Sequence, residues 1–248
     1  MTEILPGAEP FSCEGGPVGT LVLHGFTGTP QSMRPLAEAF AGAGHSVDMP
    51  LLPGHGTSVD DMLQTGWADW SAAAEAALEA LAARTEKVVV AGLSMGGSLT
   101  CWLATRHPEL AGIICINPAV QPDPGMVELV AGMVEGGMDR MDAIGNDVAD
   151  PEVVELAYDQ TPLPPLLTMF EAASAVGAEL GKITSPMLLM TSPQDHVVPP
   201  TDSDVLAAAV SGPVERVSLD RSFHVATIDY DRDLICRTAL EFVGRVTA

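Results

Sequence analysis

The sequence predicts an α/β fold, a mostly parallel central sheet flanked by helices, with a helical insertion over one end. Three observations predict it. Apolar β-branched runs alternate with amphipathic helical stretches from residue 18 to about residue 120. The strands read as continuous apolar segments, as strands buried on both faces do. That rhythm breaks over 120–181 and returns with Met187 to Thr191.

Residues 1–17 form a short lead-in, with Phe11-Ser12-Cys13 a small edge strand. Val18 to His24 is the first strong strand and runs into Gly25-Phe26-Thr27-Gly28-Thr29-Pro30. Met33, Leu36, Ala37, Phe40 and Ala41 then share a helical face, ended by Gly42 and Gly44. Ser46 to Met49 is a short strand closed by Pro50 and the turn Pro53-Gly54-His55-Gly56. Thr65 caps the next helix, whose inner face is Trp70, Ala74, Ala77, Leu78 and Leu81. A strand at Val88 to Ala91, a helix carrying Leu99, Trp102 and Leu103, and a strand at Gly112 to Asn117 follow. Within 120–181 the pattern is helical and carries no strand: one stripe over Met126 to Val134, a second helix at Val153 to Ala157, a third over Leu166 to Leu180. Five of the 12 methionines lie there, suited to lining an adaptable apolar pocket or to filling core. A helix around Val205 to Val210, a strand from Val214 to Leu219 and a closing helix complete one domain spanning 1–248, with 120–181 inserted in it.

Composition narrows the function. The 248 residues suit one sizeable core. The net charge of −22, from 33 acidic against 11 basic residues, repels phosphate backbones and anionic headgroups, so no nucleic-acid partner is expected. No apolar run approaches the ~20 residues that span a bilayer, and Met1 to Pro10 has neither the basic start nor the apolar run of a signal peptide. Cys13, Cys101, Cys115 and Cys236 show no paired spacing, and three of them read as buried reduced thiols. A soluble cytoplasmic enzyme is the expectation.

Gly92-Leu93-Ser94-Met95-Gly96 fits G-x-S-x-G between a strand and a helix, the context in which a serine hydroxyl is exposed on a sharp turn. Such a hydroxyl needs a base oriented by a third group. In parallel sheets these groups gather at the carboxyl ends of strands, which sorts the six histidines. His45 and His107 lie at the far ends of helices. His55 sits in a tight turn, His24 suits a structural hydrogen bond, and His196 is too constrained by its neighbour to reach Ser94. His224, just after the last strand, is the base. Asp195, after the strand Met187 to Thr191, is the acid, with Asp220 as runner-up; Asp202 and Asp204 fit a helix N-terminus better. The chain order Ser94, Asp195, His224 is that of α/β-hydrolases. Oxyanion donors follow by position: the backbone N–H of Met95, and that of Phe26 in the loop after the first strand.

His24-Gly25-Phe26-Thr27-Gly28-Thr29-Pro30, Gly54-His55-Gly56-Thr57, Gly92-Leu93-Ser94-Met95-Gly96-Gly97, Ser192-Pro193-Gln194-Asp195-His196-Val197-Val198-Pro199-Pro200 and Phe223-His224-Val225-Ala226-Thr227 resemble bacterial monoacylglycerol lipases and the related small carboxylesterases. The resemblance runs from about residue 18 to the C-terminus. It implies the same triad and oxyanion donors, a small-molecule ester as the partner, and a mobile cap over 120–181. From Ala143 to Asp147 and Glu152 to Tyr158 it implies that Ile144 selects for the glycerol portion and that Glu155 contacts the glycerol end. The run Thr161 to Pro165 is richer in proline than that family, and the strong negative charge is a second departure. The implied reaction is hydrolysis of a monoacylglycerol through an acyl-enzyme, and it needs neither metal nor organic cofactor. A short-chain carboxylesterase, a thioesterase or a carbon–carbon bond hydrolase would keep the same triad, whereas dehalogenases and epoxide hydrolases of this fold place an aspartate where Ser94 stands. A non-catalytic binding protein on the same fold is the reading from a different class.

Overall fold

A computed structural model of the protein describes residues 3–248; the first two residues of the lead-in lie outside the described residues. The main sheet has seven strands: β1 (Phe11–Cys13), β2 (Val18–Leu23), β3 (Ser46–Met49), β4 (Lys87–Leu93), β5 (Gly112–Ile116), β8 (Met187–Thr191) and β9 (Val214–Ser218). Their order is β1-β3-β2-β4-β5-β8-β9. β1 pairs antiparallel with β3 and the other pairings are parallel. Between β5 and β8 a second, two-stranded sheet joins β6 (Arg140–Asp142) to β7 (Gln160–Pro162). The helices are α1 (Pro30–Gly42), α2 (Val59–Met62), α3 (Trp67–Ala82), α4 (Met95–Ala104), α5 (Pro124–Glu135), α6 (Leu163–Gly177), α7 (Thr201–Ala209) and α8 (Arg232–Val246). None of the described helices is long and apolar enough to cross a membrane.

The continuous apolar runs of the central strands have a direct cause. Successive side chains of a strand point to opposite faces. On one face Val88, Val90, Ile113, Cys115, Met187 and Leu189 pack with Trp70, Leu78, Leu99 and Leu103 of α3 and α4. On the other Val89, Ala91, Leu93, Ile114, Ile116, Leu188 and Met190 pack with Met33, Phe40, Ile235 and Phe242 of α1 and α8. Both faces are therefore core, and each fully buried large apolar side chain contributes about 1.5–3 kcal/mol.

Four local expectations change. Thr65 does not cap α3. Its Oγ1 donates to Met62 O at 2.9 Å, closing the short helix α2, which the sequence pattern missed; Gly66 is the N-cap, and Asp69 Oδ2 accepts its N–H at 3.0 Å. Val153 to Ala157 is not helical. Asn146 Oδ1 takes the Glu155 N–H (2.9 Å) and Gln31 Oε1 takes the Leu156 N–H (3.1 Å), so side chains satisfy the backbone that a helix would have paired. The insertion also holds strands, β6 and β7, of only three residues each, too short to show an alternation. Lastly, Cys101 and Cys115 are buried with their sulfurs 3.9 Å apart despite their unremarkable spacing, while Cys236 is only partly buried. Of the methionines in the insertion, Met169 is buried, whereas Met126, Met138 and Met141 are exposed.

Candidate active site

β4 ends at Leu93, and the chain turns at once into α4 through Ser94, whose backbone lies at φ 56°, ψ −117°. For a residue with a Cβ this conformation costs of order 1–3 kcal/mol. The glycines of the motif make the turn possible. A Cβ on Gly92 would stand 2.0 Å from Gly96 O, and one on Gly96 would stand 2.2 Å from Leu23 O at the end of β2. The Ser94 N–H donates to Ile116 O at 3.0 Å, which fixes the turn to the neighbouring strand.

Met95 is the first residue of α4, where main-chain N–H groups have no acceptor within the helix. The loop after β2 passes alongside: a Cβ on Gly25 would lie 3.5 Å from the Ser94 Cβ, and Phe26 follows. The Phe26 ring sits edge-on to Trp70, centroids 5.7 Å apart, and to His55 at 6.5 Å. Beneath it His24 is fully buried. Its Nδ1 lies 3.0 Å from Gly25 O and its Nε2 accepts the Leu52 N–H at 3.1 Å, the structural role expected of it. Burial pushes the His24 pKa down to about 4. Burial, with a smaller contribution from His24, also pushes buried His55 well below the ordinary histidine value.

Both rings are thus neutral in the folded protein, and both gain a proton more readily when unfolded. Stability from them is complete above the ordinary value of 6.5 and is lost as pH falls below it, for His24 down to about 4. Urea unfolding at pH 7 and pH 5 should show a loss approaching about 1.4 kcal/mol per pH unit for each such histidine. A flat profile across that window would contradict their neutral burial.

At the ends of the later strands, His224 and Asp195 meet. His224 Nδ1 and Asp195 Oδ2 are 2.7 Å apart, and their side chains are 8% and 1% exposed. Asp195 Oδ1 accepts the N–H groups of Val197 and Val198, each at 2.8 Å, so its two oxygens have separate tasks. With Nδ1 committed to the carboxylate, a neutral His224 carries its free lone pair on Nε2. Asp220, the runner-up, is engaged by the Ser218 hydroxyl instead. Asp202 and Asp204 occupy the first turn of α7, and Asp202 Oδ2 accepts the N–H groups of Val120 and Gln121 at 2.9 Å. His196 pairs instead with Asp147, at 2.8 Å.

Among the described residues no hydrogen bond joins Ser94 Oγ to His224; such bonds are often long before substrate binds. The two are tied together through Asn117, at the end of β5. Ser94 bonds to the main chain on either side of it, to Ile116 O and from the Ala119 N–H. Asn117 itself, at φ 43°, donates Nδ2 to His224 O (2.8 Å) and accepts the Ser192 N–H on Oδ1 (2.8 Å). The sequence reading missed Asn117, although its place at a strand's carboxyl end is the signal that found Asp195.

Glu155 lies over the first loop: its Oε1 would be 2.8 Å from a Cβ on Gly28. Burial pushes its carboxyl pKa up, opposed by the positive field of His224 and reinforced by Asp147. Ile144, in the loop after β6, is 74% exposed.

A strained serine at a strand–helix turn and a buried carboxylate–imidazole pair at the same sheet end are parts that acyl transfer uses. The comparisons agree. The chain is 46% identical over 245 residues to a thermostable monoacylglycerol lipase of Bacillus sp. (strain H-257), covering 98% of this chain and 96% of that protein. It is 24% identical over 242 residues to a carboxylesterase of Bacillus subtilis (strain 168), covering 96% and 97%. A solved structure from work on LipS and LipT, two metagenome-derived lipolytic enzymes, superposes with a TM-score of 0.95 at 39% identity, covering 98% of this chain and all of that one. The family described as serine aminopeptidase, S33, matches residues 19–231. The chain belongs to that family of α/β-hydrolases, among relatives that include bacterial monoacylglycerol lipases and carboxylesterases.

Proposed function

We propose that the protein hydrolyses monoacylglycerols to glycerol and free fatty acid, with Ser94 as nucleophile, His224 as base and Asp195 as its orienting acid. The observation that carries this is the 2.7 Å Asp195–His224 contact, nearly closed to solvent, at the same sheet end as the strained Ser94. His224 Nε2 takes the hydroxyl proton as Ser94 Oγ attacks the acyl carbonyl. Asp195 holds the tautomer and stabilises the imidazolium. The N–H groups of Phe26 and Met95 receive the oxyanion, and each donor of this kind is worth about 10²–10³ in turnover. The alcohol leaves with the proton from His224, and water releases the fatty acid by the same path.

Residues 120–181 act as the cap that selects the ester. Glu155, held over Gly28, contacts the glycerol hydroxyls, and exposed Ile144 shapes the entrance. The similarity to the Bacillus monoacylglycerol lipase supports the substrate. The four free cysteines support action in the cytoplasm. A short-chain carboxylesterase or thioesterase with the same triad is the second reading, favoured by the similarity to the Bacillus subtilis carboxylesterase.

Rates on 1-monolauroylglycerol, p-nitrophenyl butyrate, di- and triacylglycerols separate the readings. Monolauroylglycerol should be preferred, and exclusive preference for the short ester would sink the monoacylglycerol assignment. Glu155→Ala should raise KM for monolauroylglycerol about tenfold, as expected for a lost hydrogen bond to a charged group, and leave the butyrate ester nearly unchanged. Equal loss on both substrates would remove Glu155 from glycerol recognition.

A further inference from the structure

The irregular segment between β6 and β7 is fixed at both ends, and one end is fastened to the base itself. Asp147, its side chain 11% exposed, accepts the main-chain N–H of His224 on Oδ2 at 3.0 Å. The same oxygen accepts the His196 N–H at 3.2 Å, and Oδ1 lies 2.8 Å from His196 Nδ1. The Val225 N–H donates to Asp147 O at 3.1 Å. Asp229 reinforces the contact from the other chain segment, accepting the Phe223, Ala149 and Asp150 N–H groups at 3.0, 2.7 and 3.1 Å. At the far end the Tyr158 hydroxyl donates to Gly54 O at 2.7 Å and accepts the Thr57 N–H at 2.9 Å, while the Tyr158 N–H donates to Thr27 O at 3.2 Å. The segment therefore bridges the loop that bears Phe26 and the loop that bears His224.

We propose that Asp147 is a positioning residue for His224, holding the base's main chain from the cap side while Asp195 holds its ring. This rests on the assignment of His224 as the base. A peptide N–H bonded to a carboxylate is a charge-assisted contact, stronger than a neutral one. It fixes the Cα from which the imidazole swings, and Asn117 fixes the carbonyl of the same residue at 2.8 Å. The imidazole is thus defined at three points, from the cap segment, β5 and the β8 loop. The Asp147 charge also stands beside the imidazolium that forms in each half-reaction. The other charged groups facing this site are Asp195, Glu155, Asp229 through the Phe223 main chain, and Asp202 beyond Asp195; His196 faces Asp147 and the Phe223 ring.

The two substitutions Asp147→Ala and Asp147→Asn in the full-length enzyme separate position from charge. Alanine removes the acceptor, and kcat should fall about 10- to 100-fold with KM little changed, the scale of a misplaced catalytic group. Asparagine keeps an oxygen for the two backbone N–H groups, so kcat on the pH plateau should stay within a few-fold of the parent. It removes the negative charge beside the imidazolium, so the acid limb of kcat/KM should move to lower pH by about half a unit or more. A parental kcat for Asp147→Ala overturns the proposal. So does an Asp147→Asn enzyme with an unmoved acid limb, and that profile decides the matter if the alanine variant does not fold. Ser94→Ala, assayed in parallel, keeps the two readings apart: if it retains hydrolysis, the triad assignment fails rather than the role of Asp147.

Discussion

Ser94→Ala should abolish ester hydrolysis, lowering kcat at least ~10⁴-fold, while the protein stays folded. On the proposed mechanism the loss is large because the Ser94 hydroxyl is the atom that would form the acyl-enzyme. What survives is the oxyanion hole and binding, which in other serine hydrolases leave about 10³–10⁴ over the uncatalysed rate. The fold survives because alanine meets the same φ of 56° that serine already pays for, and the turn's fixing bonds, Ser94 N–H to Ile116 O and Ala119 N–H to Ser94 O, are main chain. Burst titration with a fluorophosphonate probe and thermal unfolding of the same preparation check both halves. Parental protein should be labelled stoichiometrically and the variant not at all, at an unchanged Tm. Parental protein that is folded yet unlabelled would favour a binding protein on this fold, and a Ser94→Ala preparation that keeps more than a few per cent of its activity would falsify the nucleophile assignment.

How much of the fold and of the site is legible in the sequence depends on how local the physical cause is. The strands were legible because both their faces meet helices, so each reads as an unbroken apolar run such as Val88 to Ala91. Asp195 and His224 were legible because each stands just past a strand's carboxyl end, a rule of topology rather than of neighbours. The 2.7 Å contact between them spans a helix and a strand of intervening chain. Val153 to Ala157 was misread as a helix because its apolar residues have helical spacing, while the groups that hold it extended are Asn146 and the far-off Gln31. Asp147 was invisible for the same reason. Its partners are His196 and His224, and nothing in the sequence near 147 announces them. Thr65 shows the limit at short range: its hydroxyl turned back to Met62 O, and Asp69 took over the capping of α3.

The glycines of the elbow carry the largest stability effect expected here. Gly92→Ala should destabilise the protein by at least ~3 kcal/mol, beyond the usual range for an overpacked methyl, because the colliding atoms are main chain. A Cβ on Gly92 would meet Gly96 O at 2.0 Å, Gly96 C at 2.2 Å and Thr100 Oγ1 at 2.6 Å. The first turn of α4 would have to retreat, but Gly96 is itself wedged against β2: a Cβ there would be 2.2 Å from Leu23 O and 2.9 Å from His24 O. The helix start is thus clamped between two parallel strands with no slack on either side. Any retreat also carries Met95 and Ser94 with it, so hydrolysis should fall together with stability even in the fraction that folds. Gly42→Ala is the matched comparison. It lies in the last turn of α1 with nothing within 4 Å of the added methyl, and it should be neutral or stabilising by up to about 1 kcal/mol through helix propensity. Urea midpoints for both variants test the pair. Near-parental stability for Gly92→Ala would mean that the strand and the helix can separate by more than a van der Waals contact without loss, and the elbow geometry derived for Ser94 could not stand.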